Sequence, residues 1–426
     1  MRYNNRGIKD RLSDVMPTDI VEAGFLFALL MGPFGPVLRY LGWLMALLGI
    51  VRRRSDWRRN FSTIPGWTKI SFGLLLVWGG IITFYRSPDL HLFLKGWSVI
   101  FEFEFAVLLA FFVLRKPVSA KRCRSVVMIL VILLGSSAVL GLFPDTRSLG
   151  IFSHFPTFYS TIAIPLAPVA IMPLLYEKRF SLSRFFDYLA FASLLLMSLI
   201  GLSSGAVLSI GGSLAVMVVV LRPGFRRSAL LLLKVALVVV LVLGFSFVSG
   251  KEDVIFGKIR AEAMQLLAID DSNKLTSGRS FIWKGAIHLF RENPLGIGWG
   301  FFESQFTENR NLEWFNYYEG PPSAPHNEFL SVLVEGGVVS LAAYLLFWAG
   351  CVMTVFRLVR NSGADRSKAA ILAASLSGVF LFSLVGGIFD ERQKLAIYFW
   401  TIFGAVLAAG YPDNPKRREN YRETGF

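Results

Sequence analysis

Residues 94–114 read LKGWSVIFEFEFAVLLAFFVL, the next ten (115–124) read RKPVSAKRCR, and a second apolar run, SVVMILVILLGSSAVLGLF, fills 125–143. Each run is long enough to cross a hydrocarbon core of about 30 Å as a helix. The cations between them, Arg115, Lys116, Lys121, Arg122 and Arg124, mark a connection expected on the cytoplasmic side. Two spans joined by a basic turn are the unit from which the rest of the chain is read.

The unit recurs in both directions. Residues 20–51 are apolar on both sides of Gly32-Pro33-Phe34-Gly35-Pro36 and basic at both ends, which predicts two short helices in a hairpin. Further runs lie at 68–85, 157–176, 185–202, 206–221, 228–249, 336–356, 369–388 and 394–411. Alternating the basic clusters gives about twelve spans with both termini cytoplasmic. The expected fold is all-α: a polytopic transmembrane helical bundle with one large, partly helical periplasmic loop. Its parts are an N-terminal bundle of about nine spans (1–249), a catalytic loop (250–335), about three C-terminal spans (336–411) and a cytoplasmic tail (412–426).

Composition agrees. Of 426 residues, 54% are hydrophobic and 17% charged, and the mean hydropathy is +0.55, values a soluble domain reaches only by exposing large apolar patches. The net charge of +15 does not point to nucleic acid, because the cations cluster at the ends of apolar runs, a topogenic pattern. A strand barrel would need shorter, alternating segments. Cys123 and Cys351 both fall toward the cytoplasmic side, so no disulfide framework is expected. The polar first eighteen residues precede a span with no small-residue cleavage pattern, so the first helix is expected to be retained.

The exception to short polar connections is the segment 250–335, far longer than the usual loop of a few residues. Residues 258–267 have an amphipathic pattern. A helix is expected over 280–292, with Ser277 or Ser280 as N-cap, ended by the breakers Pro294-Leu-Gly-Ile-Gly-Trp-Gly300. After Trp314-Phe315-Asn316-Tyr317-Tyr318, Pro325-His326-Asn327 starts another helix that runs through Glu335-Gly336-Gly337 into the membrane.

Three patterns in this region are Gly278-Arg279-x-x-x-Trp283, Asn293-Pro294-Leu-Gly296-x-Gly298-x-Gly300-x-Phe302 and Pro325-His326-Asn327-x-Phe-Leu-x-x-x-x-Glu335-Gly336-Gly337. In order and spacing they resemble the O-antigen ligase and O-antigen polymerase superfamily. Upstream, Arg147-Ser-Leu-Gly150-Ile-Phe152-Ser-His154 resembles an arginine and Gly-x-Phe pattern common in exopolysaccharide polymerases of that group. The chain departs from many relatives in carrying Ser203-Ser204 where they have Ser-Arg, and in carrying His154-Phe155-Pro156 where their upstream pattern continues with more polar residues. The resemblance implies transfer of a saccharide from an undecaprenyl-diphosphate carrier to an acceptor sugar at the periplasmic face of the bacterial inner membrane, with no metal or other cofactor. The partners it implies are the lipid-linked donor, a glycan or lipid A-core acceptor, membrane lipid, a flippase and a chain-length regulator. Polymerisation of exopolysaccharide or O-antigen repeat units stands slightly ahead of ligation to lipid A-core. A flippase or transporter of lipid-linked oligosaccharide is the alternative from another class.

Such a reaction needs the diphosphate held, its growing charge neutralised, and one acceptor hydroxyl deprotonated. Arginine suits the first two tasks, since its planar fork donates two hydrogen bonds to phosphate oxygens and stays charged. Arg279 comes first and Arg147 second, as arginines placed on the outer side against the positive-inside bias; Arg310 and Arg39 follow. Arg279 has a second reading, an ion pair with Asp270 or Asp271. His326 is the candidate base, an imidazole that titrates near neutral pH, although Pro325-His326-Asn327 also reads simply as a helix start with His326 or Asn327 capping it. Asn327 and Glu328 are candidates for binding substrate; Glu328 would orient His326 or meet a sugar hydroxyl, or else complement a helix dipole. Trp283, Trp299, Trp314, Tyr317 and Tyr318 stack on sugars or anchor at the membrane interface. Glu102, Glu104 and Lys234 fall inside spans, where ionisable groups pair with one another or line a cavity. There is no metal-ligand cluster and no Gly-x-x-x-x-Gly-Lys loop for ATP.

Overall fold

The computed structural model describes residues 19–52, 61–140, 157–175, 182–201, 203–222, 278–308, 322–361, 365–387, 389 and 393–412, with isolated positions between 233 and 264. The described residues form helices and connections, with no strand. In chain order the helices are α1 (Ile20–Met31), α2 (Pro36–Arg52), α3 (Gly66–Arg86), α4 (Leu90–Leu114), α5 (Pro117–Leu140), α6 (Thr157–Leu175), α7 (Leu182–Ile200), α8 (Ser204–Leu221), α9 (Arg279–Glu292), α10 (Phe302–Glu308), α11 (Glu328–Arg360), α12 (Arg366–Ser383) and α13 (Gln393–Gly410); a 3-10 turn, Gly32–Phe34, joins α1 to α2.

Helices thus stand at every expected span except 228–249, where the described positions 233, 236, 240, 244 and 247 are helical and exposed. Six are both long and apolar enough to cross a membrane: α3, α4, α5, α6, α8 and α11. The hairpin α1–α2, α7, α12 and α13 are shorter or less apolar. The protein is an integral membrane protein of the helical class.

Local sequence explains the helix starts. Asp19 caps α1 by accepting from Glu22 N at 2.8 Å, Asp89 caps α4 by accepting from Leu92 N at 2.8 Å, and Ser203 caps α8 by accepting from Ala206 N at 3.3 Å. Each satisfies an N–H that the first helical turn leaves without a partner. Ser203 therefore has a structural task.

Basic residues gather at one end of the bundle and are tied there. Lys116 pairs with Asp19 at 3.1 Å, Arg122 with buried Glu22 at 3.0 Å, and Arg124 with Asp187 at 2.7 Å. Arg115 donates to Thr63 Oγ1 at 2.8 Å and Arg366 Nε to Val220 O at 2.7 Å. These bonds collect the starts of α1, α3, α5, α7 and α12 and the ends of α4 and α8. Between the ends, α3 packs antiparallel on α11: Trp67 lies against Gly350, Phe72 meets Phe347 at 5.1 Å, and Trp78 reaches Gly336.

Inside the bundle, Arg39 pairs with Glu102 at 3.2 Å, both buried. Arg39 is thereby committed to a structural ion pair, and Glu102 has a partner other than Lys234, which lies outside the described residues. Glu104 is also buried, two positions along α4 and hence on another side of it.

Candidate functional site

At the end of the bundle opposite the basic cluster, α11 breaks. Gly337 has φ 74° and ψ −176° within the helix, so the i to i−4 hydrogen bonds lapse there and need other partners. The glycine-rich stretch after α9 supplies them. Ile297 N donates to Val334 O at 3.0 Å, Gly298 N to Glu335 O at 2.9 Å, and Val338 N to Pro294 O at 3.1 Å. Trp78 Nε1 covers Gly336 O at 2.9 Å.

Such close backbone contact excludes side chains. A Cβ on Gly296 (φ 109°) would lie 2.5 Å from Glu335 O, and one on Gly337 would lie 2.2 Å from Leu295 O. The glycines of the 293–300 and 335–337 patterns are thus two halves of one joint. Glu335 completes it: its Oε1 accepts from Gly300 N at 3.1 Å and Phe302 N at 3.3 Å. Arg86 donates to Asn293 Oδ1 at 2.7 Å and Trp299 N to Thr83 Oγ1 at 3.1 Å, which fastens the joint to α3.

About two helical turns back along α11 lies the segment 323–328. His326 is left-handed, with φ 52°, a conformation in which histidine is enriched but which costs a non-glycine residue about 1–3 kcal/mol. The backbone on both sides is held. Trp283 Nε1 donates to Pro325 O at 3.0 Å. Asn327 is the N-cap of α11, its Oδ1 accepting from Leu330 N at 3.0 Å while its Nδ2 donates to Leu384 O at 3.0 Å. Glu328 is fully buried, and its Oε2 accepts from Phe389 N at 3.2 Å. In this structure Asn327 and Glu328 fix the His326 turn against the α12–α13 connection.

Arg279 opens α9, one helical turn before Trp283 and so on the same face. The indole bond to Pro325 therefore brings the start of α9 beside the His326 turn. Gly278, with φ 76°, occupies the N-cap of α9 without a side-chain bond, so the cap expected at Ser277 or Ser280 is a glycine instead. The helix starts one residue earlier than expected, because a glycine enters the left-handed region at no steric cost. Arg279 stands where the first-turn N–H groups and the helix dipole also favour negative charge.

Trp283 is used in the His326 turn. Trp299 is buried in the core, its ring 5.3 Å from that of Phe389, so it serves neither as a sugar platform nor as an interface anchor. Arg147, His154, Arg310, Trp314, Tyr317, Tyr318, Asp270 and Asp271 lie outside the described residues. Sequence reasoning gave no role to Glu335, Trp78 or Arg86. The available signal was the place of Glu335 in the pattern that ends at Gly337.

A helical membrane protein with an ordered polar segment folded onto a broken span is the class these features define. The sequence profile of the O-antigen ligase family matches residues 189–345, a stretch from within α7 through the joint and the His326 turn into α11. Over 103 residues the chain is 29% identical to a Rickettsia bellii (strain RML369-C) protein provisionally named a polysaccharide ligase. That match takes in 23% of this chain and 24% of the relative, so the chain spans about a quarter of the curated relative's length.

Proposed function

We propose that the protein is an inner-membrane glycan transferase that moves a saccharide from an undecaprenyl-diphosphate carrier onto an acceptor sugar at the periplasmic face. Breaking the bond between the anomeric carbon and the diphosphate oxygen leaves the carrier diphosphate with added negative charge, which Arg279 takes up, with Arg147 and Arg310 as further phosphate ligands. The acceptor hydroxyl forms the new bond to the anomeric carbon and gives its proton to His326. Preorganised charge at a bilayer surface is more effective than in water, and a positioned base contributes about 10²-fold to 10⁴-fold. Asn327 and Glu328 hold the turn that presents His326, and Asn327, half-exposed, also meets the acceptor. The observation that carries this reading is the Trp283–Pro325 bond, which sets the start of α9 beside a left-handed histidine.

Within this chemistry, joining repeat units is the first reading. Ligation of finished polysaccharide to lipid A-core is the second, favoured by the match to the O-antigen ligase family. Loss of a polymerase leaves single repeat units, whereas loss of a ligase leaves long chains on the carrier. Purified protein in detergent, given carrier-linked donor and acceptor, tests the common claim. Product formed without ATP or an ion gradient, and lost in His326→Ala, supports the transferase; translocation in vesicles without product supports the transporter.

A further inference from the structure

At the basic end of the bundle, farthest from His326, α11, α12 and α13 enclose an open cleft of about 520 Å³, within the range of small-ligand sites. Its floor includes buried Leu372 and half-buried Leu358, and Tyr411 stands at its edge. Its two cations come from opposite walls: Arg357 from the end of α11, Lys368 from the first turn of α12.

Five other described cations of this end, Arg115, Lys116, Arg122, Arg124 and Arg366, are engaged with protein oxygens, and none of the remaining ones, such as Arg52 and Lys121, lines the cleft. Among the described residues, no hydrogen bond or ion pair engages the guanidinium of Arg357 or the ammonium of Lys368. Asp365 lies on the same rim. Two cations and one carboxylate give the described wall a net charge of one positive unit, which matches a phosphodiester better than a doubly charged phosphomonoester. An apolar floor below a cationic rim, at the inner boundary implied by the basic clusters, fits the phosphate and glycerol of a phospholipid with its chains running down the bundle.

We propose that this cleft is a binding site for the headgroup of an anionic phospholipid, with its phosphodiester between Arg357 and Lys368. The site is independent of glycan transfer. Both cations are exposed, so neutral replacement leaves the packing of α11 and α12 in place.

The full chain in phosphatidylcholine nanodiscs with graded phosphatidylglycerol tests it, by native mass spectrometry of the lipid retained after release. Wild type should retain phosphatidylglycerol over phosphatidylcholine. The double variant Arg357→Gln/Lys368→Gln should need about thirtyfold more, by the scale of two surface cations. The charge-keeping pair Arg357→Lys/Lys368→Arg should retain it, as should Arg52→Gln/Lys121→Gln, which removes equal charge elsewhere at this end. Equal loss in both Gln doubles would mean diffuse surface charge, and no loss in either, or no preference in wild type, would mean no site. Displacement of the lipid by millimolar inorganic phosphate would mean an adventitious ion only. Each of these three results overturns the proposal.

Discussion

Replacing Trp283 by Phe is the most selective perturbation of the candidate site. It keeps a large ring on α9 and removes only the indole N–H that donates to Pro325 O at 3.0 Å. A neutral hydrogen bond of this kind contributes about 1 kcal/mol net, so the variant should unfold at a temperature lower by about 2 °C, the scale for a large chain. Activity should fall further than stability. The bond holds the start of α9, and with it Arg279, against the turn that carries His326. A loss of about 1 kcal/mol in docking lowers the docked-to-undocked ratio about fivefold, and a displacement of about 1 Å between reacting groups costs up to about 10²-fold. Transfer from a carrier-linked donor by purified protein should therefore drop by up to about 10²-fold, with normal insertion. Wild-type turnover in Trp283→Phe, or a loss that only tracks unfolding, would refute the coupling of α9 to the His326 turn.

Four further perturbations probe the same account. His326→Gly should abolish transfer yet leave thermal stability equal to wild type or up to about 1 kcal/mol higher, because glycine adopts the left-handed backbone without strain; a destabilised variant would assign the histidine a structural role. Gly296→Ala should cost about 3 kcal/mol or more, from a positive φ and a Cβ 2.5 Å from Glu335 O, read as a fall in melting temperature. Glu335→Leu should cost about 2–4 kcal/mol by leaving Gly300 N and Phe302 N without their carboxylate, whereas Glu335→Gln, which keeps an acceptor, should lose less than half of that. Arg39→Ala should cost about 3–5 kcal/mol by leaving Glu102 buried and unpaired, and the double change Arg39→Met/Glu102→Leu should recover most of it in the same melting assay.

Much of the fold was readable because membrane spans announce themselves locally. The run at 94–114 and its basic follower need no tertiary information, and α4 ends at Leu114, where that run ends. The start of α11 after Pro325-His326-Asn327 was readable for the same reason, since Asn327 carries its cap within three residues. What the sequence concealed is tertiary. The partner of Glu102 is Arg39, 63 positions away, which no periodicity couples. The run Pro294–Gly300 reads locally as a helix breaker, whereas its larger task is to replace the hydrogen bonds that α11 forfeits at Gly337. Trp299 reads as a surface aromatic within a polar segment, yet the joint carries it into the core. At the site, residue types pointed to His326 and Arg279, while the bond that brings their segments together runs through Trp283, which the sequence reading treated only as a stacking or anchoring ring.

The central claim is that the His326 turn and the basic cluster lie on opposite sides of the membrane, with the turn outside. With Cys123 and Cys351 replaced by serine, single cysteines at exposed Ser323 and at exposed Asn361 report the two ends to a membrane-impermeant maleimide applied to intact cells with permeabilised outer membranes. Ser323→Cys should label without lysis and Asn361→Cys only after it. Labelling of Asn361→Cys in intact cells, with Ser323→Cys protected, would place the histidine in the cytosol and contradict transfer at the periplasmic face.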